Sequence, residues 1–286
     1  MSITKSVDAL SQRVSSGHYF LWLLLGGTFL AAYLPVMIEL VNAWYGSDDY
    51  SHGFLIVPLV LFISWQKRRS LSGVPISGSW VGLPVAFLSL LAYLFARVGE
   101  ILTLASLSMI GCSAGMILFL FGFHVLRLFL FPLLLMLCMI PIPAQIFAVL
   151  TIPLQLLVTR ITAVLASLSG IPIYCEGNVI HHSRMTFEVV QACSGLRSIM
   201  ALLTLGAIFG YFSLRSNILR IMLFISAIPI AVVVNSLRVF AMVAAIHFLG
   251  LDLTAGTSHT ILGIVLFGMS VMIFVLIRKG LSLWER

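Results

Sequence analysis

Three residues with chemistry of their own stand in a chain that is otherwise almost wholly apolar: Cys193, Arg238 and His259. Cys193 lies in Val190–Arg197 (VQACSGLR), where the long polar segment from Glu176 to Glu188 runs into an apolar stretch from Leu196 to Phe212. This puts a thiol at the mouth of a membrane span, close to water and beside lipid. Unpaired N–H groups and the positive end of the dipole at a helix start favour a thiolate and can bind an oxyanion. Ser194 and Gly195 follow it, small residues that let another chain approach closely. A lone membrane cysteine is more often a small buried hydrophobe, and Cys112 and Cys138, mid-span without polar neighbours, are read that way. Cys175 lies in the polar region, where a structural role or a disulfide stays open.

Arg238 is the only formal charge between Ile230 and Phe248, with Asn235 one helical turn earlier on the same face. An arginine inside a span costs at least ~2.5–3.5 kcal/mol and is a functional-site hypothesis by default. Counted from Ile221 at ~1.5 Å per residue, it rises about 26 Å, near the outer boundary of a ~30 Å core. Cys193 is expected at the same depth, although that depth also suits snorkelling to the interface. His259 opens the last apolar stretch after Gly256-Thr257-Ser258 and can act as acid or base. A single boundary histidine is usually a solvated loop residue, as His18, His124 and His247 are read here. The case for His259 is its company. Arg197, one turn beyond Cys193, is either a second positive group or an anchor paired with a carboxylate.

Thiol, guanidinium and imidazole at one depth suit acyl transfer. The thiolate attacks a peptide carbonyl, arginine stabilises the oxyanion and histidine protonates the leaving amine. Competing intramembrane chemistries lack their signatures. There is no H-E-x-x-H, and Ser167-Leu168-Ser169-Gly170 only faintly resembles a serine-protease motif. His181-His182 with His259 and Cys193 shows no metal-ligand spacing, so no metal and no cofactor is expected.

The elements that hold these residues are membrane spans. Hydrophobic residues are 61% of the 286 and charged residues only 9%, with a mean hydropathy of +1.15. A soluble domain carries roughly 25% charged residues. The expected fold is therefore all-α, a single polytopic bundle over residues 1–286 with about eight spans of ~20 apolar residues each. They are Tyr19–Val41, His52–Gln66, Trp80–Ala96, Ile101–Gly122, Leu128–Val149, Ser194–Phe212, Ile221–Leu249 and His259–Ile277. The first is too long for a signal-peptide core. Residues 151–170, with Gln155, Arg160 and several hydroxyls, read as an interfacial helix after the Pro141-Ile142-Pro143 break. Residues 171–192 read as an extracytoplasmic segment whose alternating, β-branched run before Cys193 suggests a small hairpin or flap.

The net charge of +7 reflects short basic loops rather than a nucleic-acid surface. With residues 1–18 as a cytoplasmic tail and both termini inside, eleven of the sixteen basic and two of the nine acidic residues are cytoplasmic. Glu39, Asp48, Asp49, Glu100, Glu176, Glu188 and Asp252 then face out, on the side of Cys193.

Several segments taken together resemble the exosortase/archaeosortase family of integral membrane sorting enzymes. They are Asp49–Ile56 (DYSHGFLI), Met139–Pro143 (MIPIP), Gly177–Ile180 leading into Ala192–Ser198 (ACSGLRS), Asn235–Val239 (NSLRV), and His259 with Gly263 and Phe267. Gln191 stands where the family commonly has glutamate. The resemblance implies a cysteine transpeptidase or peptidase of a bacterial cytoplasmic membrane. Its implied clients are membrane-anchored proteins with a C-terminal signal of a Pro-Glu-Pro-like motif, a transmembrane helix and a basic tail. Transfer would go to an envelope acceptor, lipid or polysaccharide. On this chain it makes Cys193 the nucleophile, with Arg238 and His259 completing the site and Ser194, Gly195, Arg197, Asn235 and His52 supporting it. A shallow outer site suits a substrate cut just outside its own span, and Ser194, Gly195, Gly206 and Gly210 are expected to let that helix pack alongside. The alternatives are a non-enzymatic polytopic component of exopolysaccharide export, with Arg238 lining an anion path, and a protease that hydrolyses its acyl-enzyme with water.

Overall fold

In the computed structural model the described residues are 2–47, 49–71, 73–189, 195–254 and 256–285, with side chains described from Leu23 onward. Among them, helices dominate: α1 (Ser2–Gly46), α2 (Gly53–Leu71), α3 (Gly82–Val98), α4 (Leu102–Phe121), α5 (Phe123–Leu135), α6 (Ala144–Leu168), α7 (Leu196–Ser213), α8 (Asn217–Ala244) and α9 (Gly256–Trp284). Six stretches are long and apolar enough to cross a membrane: Leu23–Gly46, Leu102–Phe121, Ala144–Leu168, Leu196–Ser213, Asn217–Leu249 and Gly256–Trp284. Two shorter apolar helical stretches, Gly82–Val98 and Phe123–Met139, join them. The protein is an all-α polytopic membrane protein.

Packing resolves two compact units, one of Met1–Gly46 with Arg68–Phe129, the other of Ser47–Lys67 with Leu130–Arg286. In the first, α3 and α4 lie against each other closely enough that glycine is required. A Cβ on Gly115 would stand 2.5 Å from the Ala86 backbone nitrogen. The Tyr93 hydroxyl donates to the Ala32 carbonyl at 2.7 Å, and Arg97 pairs with Glu39 at 2.5 Å, so polar groups on α1 and α3 answer one another.

The second unit carries the residues singled out above. Its core joins α7, α8 and α9 through Ile199, Leu202, Leu223, Ala227, Ala231 and Phe274, all buried. The small residues of α7 serve this packing. A Cβ on Gly206 would lie 3.2 Å from the Phe224 Cα and one on Gly210 3.5 Å from the Arg220 Cα. Gly206 and Gly210 therefore face α8, and the expectation that they admit an outside helix is corrected: internal close packing already uses them.

The stretch expected as one span, Leu128–Val149, is broken. After α5 a 3₁₀ turn covers Met136–Met139, Ile140 turns extended at ψ 126°, and Pro143 caps α6. Pro141 pushes the residue before it out of the helical region, and a proline without an N–H suits the edge of a helix rather than its interior. The next helix accordingly begins at Ala144, not at 151, and at 25 residues is long and apolar enough to span. This differs from the interfacial helix expected over 151–170. Gln155, Thr159 and Thr162 are buried, and α6 packs on α8 with Thr162 reaching the Ser236 carbonyl. An amphipathic pattern can mark a protein-facing stripe as well as a water-facing one.

The segment between α6 and α7 forms a three-stranded antiparallel meander, β1 (Ile173–Glu176), β2 (Val179–His182) and β3 (Met185–Glu188). Gly177, at φ +61°, makes the β1–β2 turn, and the register pairs Cys175 with Ile180 and Ile180 with Phe187. Period-two alternation buries Ile180 and His182 on one face. Ile180 and Val189 join Val158, Ala166, Val239, Met242 and Val243 in a second core cluster that ties the meander to α6 and α8.

Candidate active site

Gly195 caps the N-terminus of α7 at φ +83°, and a Cβ there would meet the Asn235 side chain at 3.1–3.2 Å. Left-handed backbone and lack of room both demand glycine. The contact brings the start of α7 against the buried Asn235 of α8. Cys193 and Ser194, with Gln191 and Ala192, lie outside the described residues. Cys112, Cys138 and Cys175 are free thiols, and burial pushes the Cys175 thiol up from its ordinary pKa.

Arg238, one turn beyond Asn235, extends its guanidinium to α9, where Nη2 stands 2.7 Å from His259 Nε2. The other ring nitrogen, Nδ1, lies 3.2 Å from the Leu253 carbonyl. A carbonyl only accepts and a guanidinium only donates. His259 therefore carries its proton on Nδ1 and offers the Nε2 lone pair to Arg238. The imidazole in this arrangement is neutral, and its Nε2 lone pair is engaged by the guanidinium beside it.

Arg197 faces the same space from α7. Its Nε donates to Asp49 Oδ1 at 2.8 Å, which answers the question of a carboxylate partner. Asp49 opens a short loop fastened at two further points. The Tyr50 hydroxyl accepts from the Ile142 N–H at 3.2 Å and donates to the Ile142 carbonyl at 3.5 Å; His52 Nε2–H donates to the Cys138 carbonyl at 2.9 Å. Burial raises the Tyr50 pKa above its ordinary 10.0, so the hydroxyl keeps its proton at any physiological pH. The Met136–Pro143 break thus supplies the backbone groups that hold the 49–52 loop.

These elements enclose a cleft of about 690 Å³ lined by Ser51, His52, Arg197, Ser198, Arg238 and His259, with Ala201, Thr260, Gly263, Ile264 and Phe267 on its apolar side. That volume is in the range of small-molecule and peptide pockets. Of the expected site residues, Arg238, His259, Arg197 and His52 share the cleft. Asn235 and Gly195 form the packed seat beside it. Ser51 and Ser198 line the cleft as well, and Asp49 stands behind Arg197; all three lie in the DYSH and ACSGLRS segments, but none is among the expected site residues. Asp49 and Arg197 are 148 positions apart, and only the DYSH segment hinted at a role for that loop.

The remaining histidines go elsewhere. His181 and His182 leave opposite faces of β2: His181 stacks on Tyr174, and His182 Nε2 lies 3.0 Å from His247 Nδ1. His247, read from sequence as a solvated residue, is therefore one half of an imidazole pair. Among the described residues no group of three or more His, Cys, Asp or Glu side chains is arranged to hold a metal.

Neither curated proteins nor solved structures yield a match to the chain. A family model described as transmembrane exosortase matches residues 44–276, a span that runs from the end of α1 through most of α9 and includes every residue of the cleft. On that match over most of its length, the chain belongs to the transmembrane exosortase family of membrane protein-sorting transpeptidases.

Proposed function

We propose that this exosortase cleaves C-terminal sorting signals of the PEP-CTERM type at the outer face of a bacterial cytoplasmic membrane, through a thioester on Cys193, and passes the cleaved protein to an envelope acceptor. The observation that carries the reading is the Arg238–His259 contact at 2.7 Å, in a cleft flanked by the glycine-capped start of α7. In the first step Arg238 turns its Nη2–H from His259 Nε2 to the scissile carbonyl oxygen, the freed Nε2 takes the Cys193 proton, and the thiolate sulfur adds to the carbonyl carbon. Arg238 donates to the resulting oxyanion. Collapse of the adduct breaks the C–N bond, and the proton held on His259 goes to the departing amine. An acceptor hydroxyl or amine then adds to the thioester, loses its proton to His259 and expels the Cys193 sulfur, leaving a conjugate.

Two features support the outer placement. With both termini placed inside and residues 171–192 outside, eleven of the sixteen basic residues fall on the cytoplasmic side and the acidic loops on the other. The cleft combines cationic and apolar walls, as suits a peptide bond just outside a transmembrane helix. The test is co-expression with a protein bearing a tripartite tail, comparing wild type with Cys193→Ala and weighing the product. Shortening by wild type alone, with added mass on the new C-terminus, is expected. A free carboxylate would replace transfer by hydrolysis. Equal processing by both would remove Cys193 from the mechanism; processing by neither, with polysaccharide export kept in Cys193→Ser, would favour a role in export.

A further inference from the structure

Gly263 lies one turn after His259 on the same face of α9, and the guanidinium of Arg238 rests against it. A Cβ built there would stand 3.1 Å from Arg238 Nη2 and 3.3 Å from Cζ. The atom it would press is the one that reaches His259 Nε2 at 2.7 Å, while the imidazole is held from behind by the Leu253 carbonyl at 3.2 Å. We propose that Gly263 is a positioning residue for the Arg238–His259 pair, its missing side chain forming the seat of the guanidinium. The inference rests on the reading above that this pair serves the reaction, and it assigns that reading a residue it does not include.

Nothing about the α9 backbone calls for glycine at this point. Gly263 lies within a continuous helix, with a φ outside the left-handed range where glycine is favoured. Glycine inside a helix weakens it relative to alanine. Gly268 is the useful contrast: on the same helix it has nothing within 4 Å of its would-be Cβ. A methyl at 268 meets open space, whereas a methyl at 263 must shift a cation by a few tenths of an ångström. That cation is tied to its partner by a short hydrogen bond, so the shift is taken up in the Arg238–His259 contact. Small misplacements of reacting groups have large kinetic consequences. Helix propensity and site geometry therefore predict opposite signs for Gly263→Ala, with stability unchanged or raised and reaction slowed.

The experiment has one arm that needs no substrate. Purified full-length protein is treated with diethylpyrocarbonate, which acylates the lone pair of a neutral imidazole, and His259 modification is followed by peptide mass. Gly263→Ala is expected to raise the His259 rate severalfold, toward that of Arg238→Ala, while Gly268→Ala leaves it at the wild-type value. Unchanged reactivity in Gly263→Ala overturns the proposal. The second arm is a double-mutant cycle on processing of a tripartite-tailed protein. In the Arg background Gly263→Ala is expected to slow processing about tenfold, and in the Arg238→Lys background, where the slimmer head leaves room for the methyl, by less than about twofold. An equal loss in both backgrounds makes Gly263 a general packing residue and refutes the assignment. If His259 reactivity rises as expected and neither Gly263→Ala nor Arg238→Ala slows processing, the seat exists but the reading of the pair as reacting groups has failed.

Discussion

Acidification should open the seam between the β-meander and the π-helical turn Ala245–Leu249 that follows α8. His182 accepts the Arg184 backbone N–H on Nδ1 at 3.2 Å, so its own proton is on Nε2 and is donated to His247 Nδ1 at 3.0 Å. Both rings must be neutral for this chain of donors and acceptors to exist, because a proton on either Nδ1 would face another donor. The Arg184 guanidinium adds positive charge beside them, bonded to the Ile246 and His247 carbonyls at 3.1 and 3.3 Å. His181, 3.9 Å from Glu176, is on the opposite face and outside the seam. Burial first, then His247 and Arg184, holds the His182 pKa below its ordinary 6.5. A depressed histidine contributes nothing pH-dependent above 6.5; below it the open form takes up a proton that the closed form refuses. Seam stability then falls with pH, at no more than about 1.4 kcal/mol per unit. The neutral hydrogen bond at stake is worth about 0.5–1.5 kcal/mol, so opening on the order of tenfold more frequent is expected by pH 5. Hydrogen exchange of the full-length protein in nanodiscs, corrected for intrinsic rates, would show it as lost protection over 173–189 and 245–250. His182→Leu should have weak, pH-independent protection. Protection that is level from pH 8 to pH 5, or that falls equally in His182→Leu, would refute the argument.

Asp49→Asn removes a pair whose side chains are 26% and 46% exposed, so its stability cost should stay below about 1 kcal/mol in thermal unfolding. Processing should fall by more than that cost explains, because Arg197 loses the anchor that aims it at the cleft; comparing the two losses in one preparation checks this. Gly115→Leu should destabilise the first unit by about 1–3 kcal/mol or more, since the group it meets is the Ala86 backbone and cannot rotate away, and a lower aggregation temperature would report it.

Composition and hydropathy were enough for the class of fold. A chain with 9% charged residues cannot make a soluble domain of this size, and helices are the economical way to satisfy backbone groups in lipid. The alternating run before Cys193 indicated a flap, and Pro141 and Pro143 marked a break. Hydropathy could not say whether the helix after that break lay at the interface or inside the bundle. The answer depended on whether Gln155, Thr159 and Thr162 faced water or α8, and burial against a partner helix is invisible to a linear pattern.

The same division holds at the site. Residue chemistry pointed to Arg238 and His259 because a cation inside an apolar run is expensive and demands a reason. That the two touch, that His259 keeps its proton on Nδ1, that Arg197 leans on Asp49 and that Gly206 is spent on α7–α8 packing were decided by tertiary structure alone. Sequence determines which groups are too costly to leave without purpose, since that cost is a property of the side chain and its solvent. Which partner relieves the cost is a matter of directions and distances between helices far apart in the chain, and these exist only once the helices have packed.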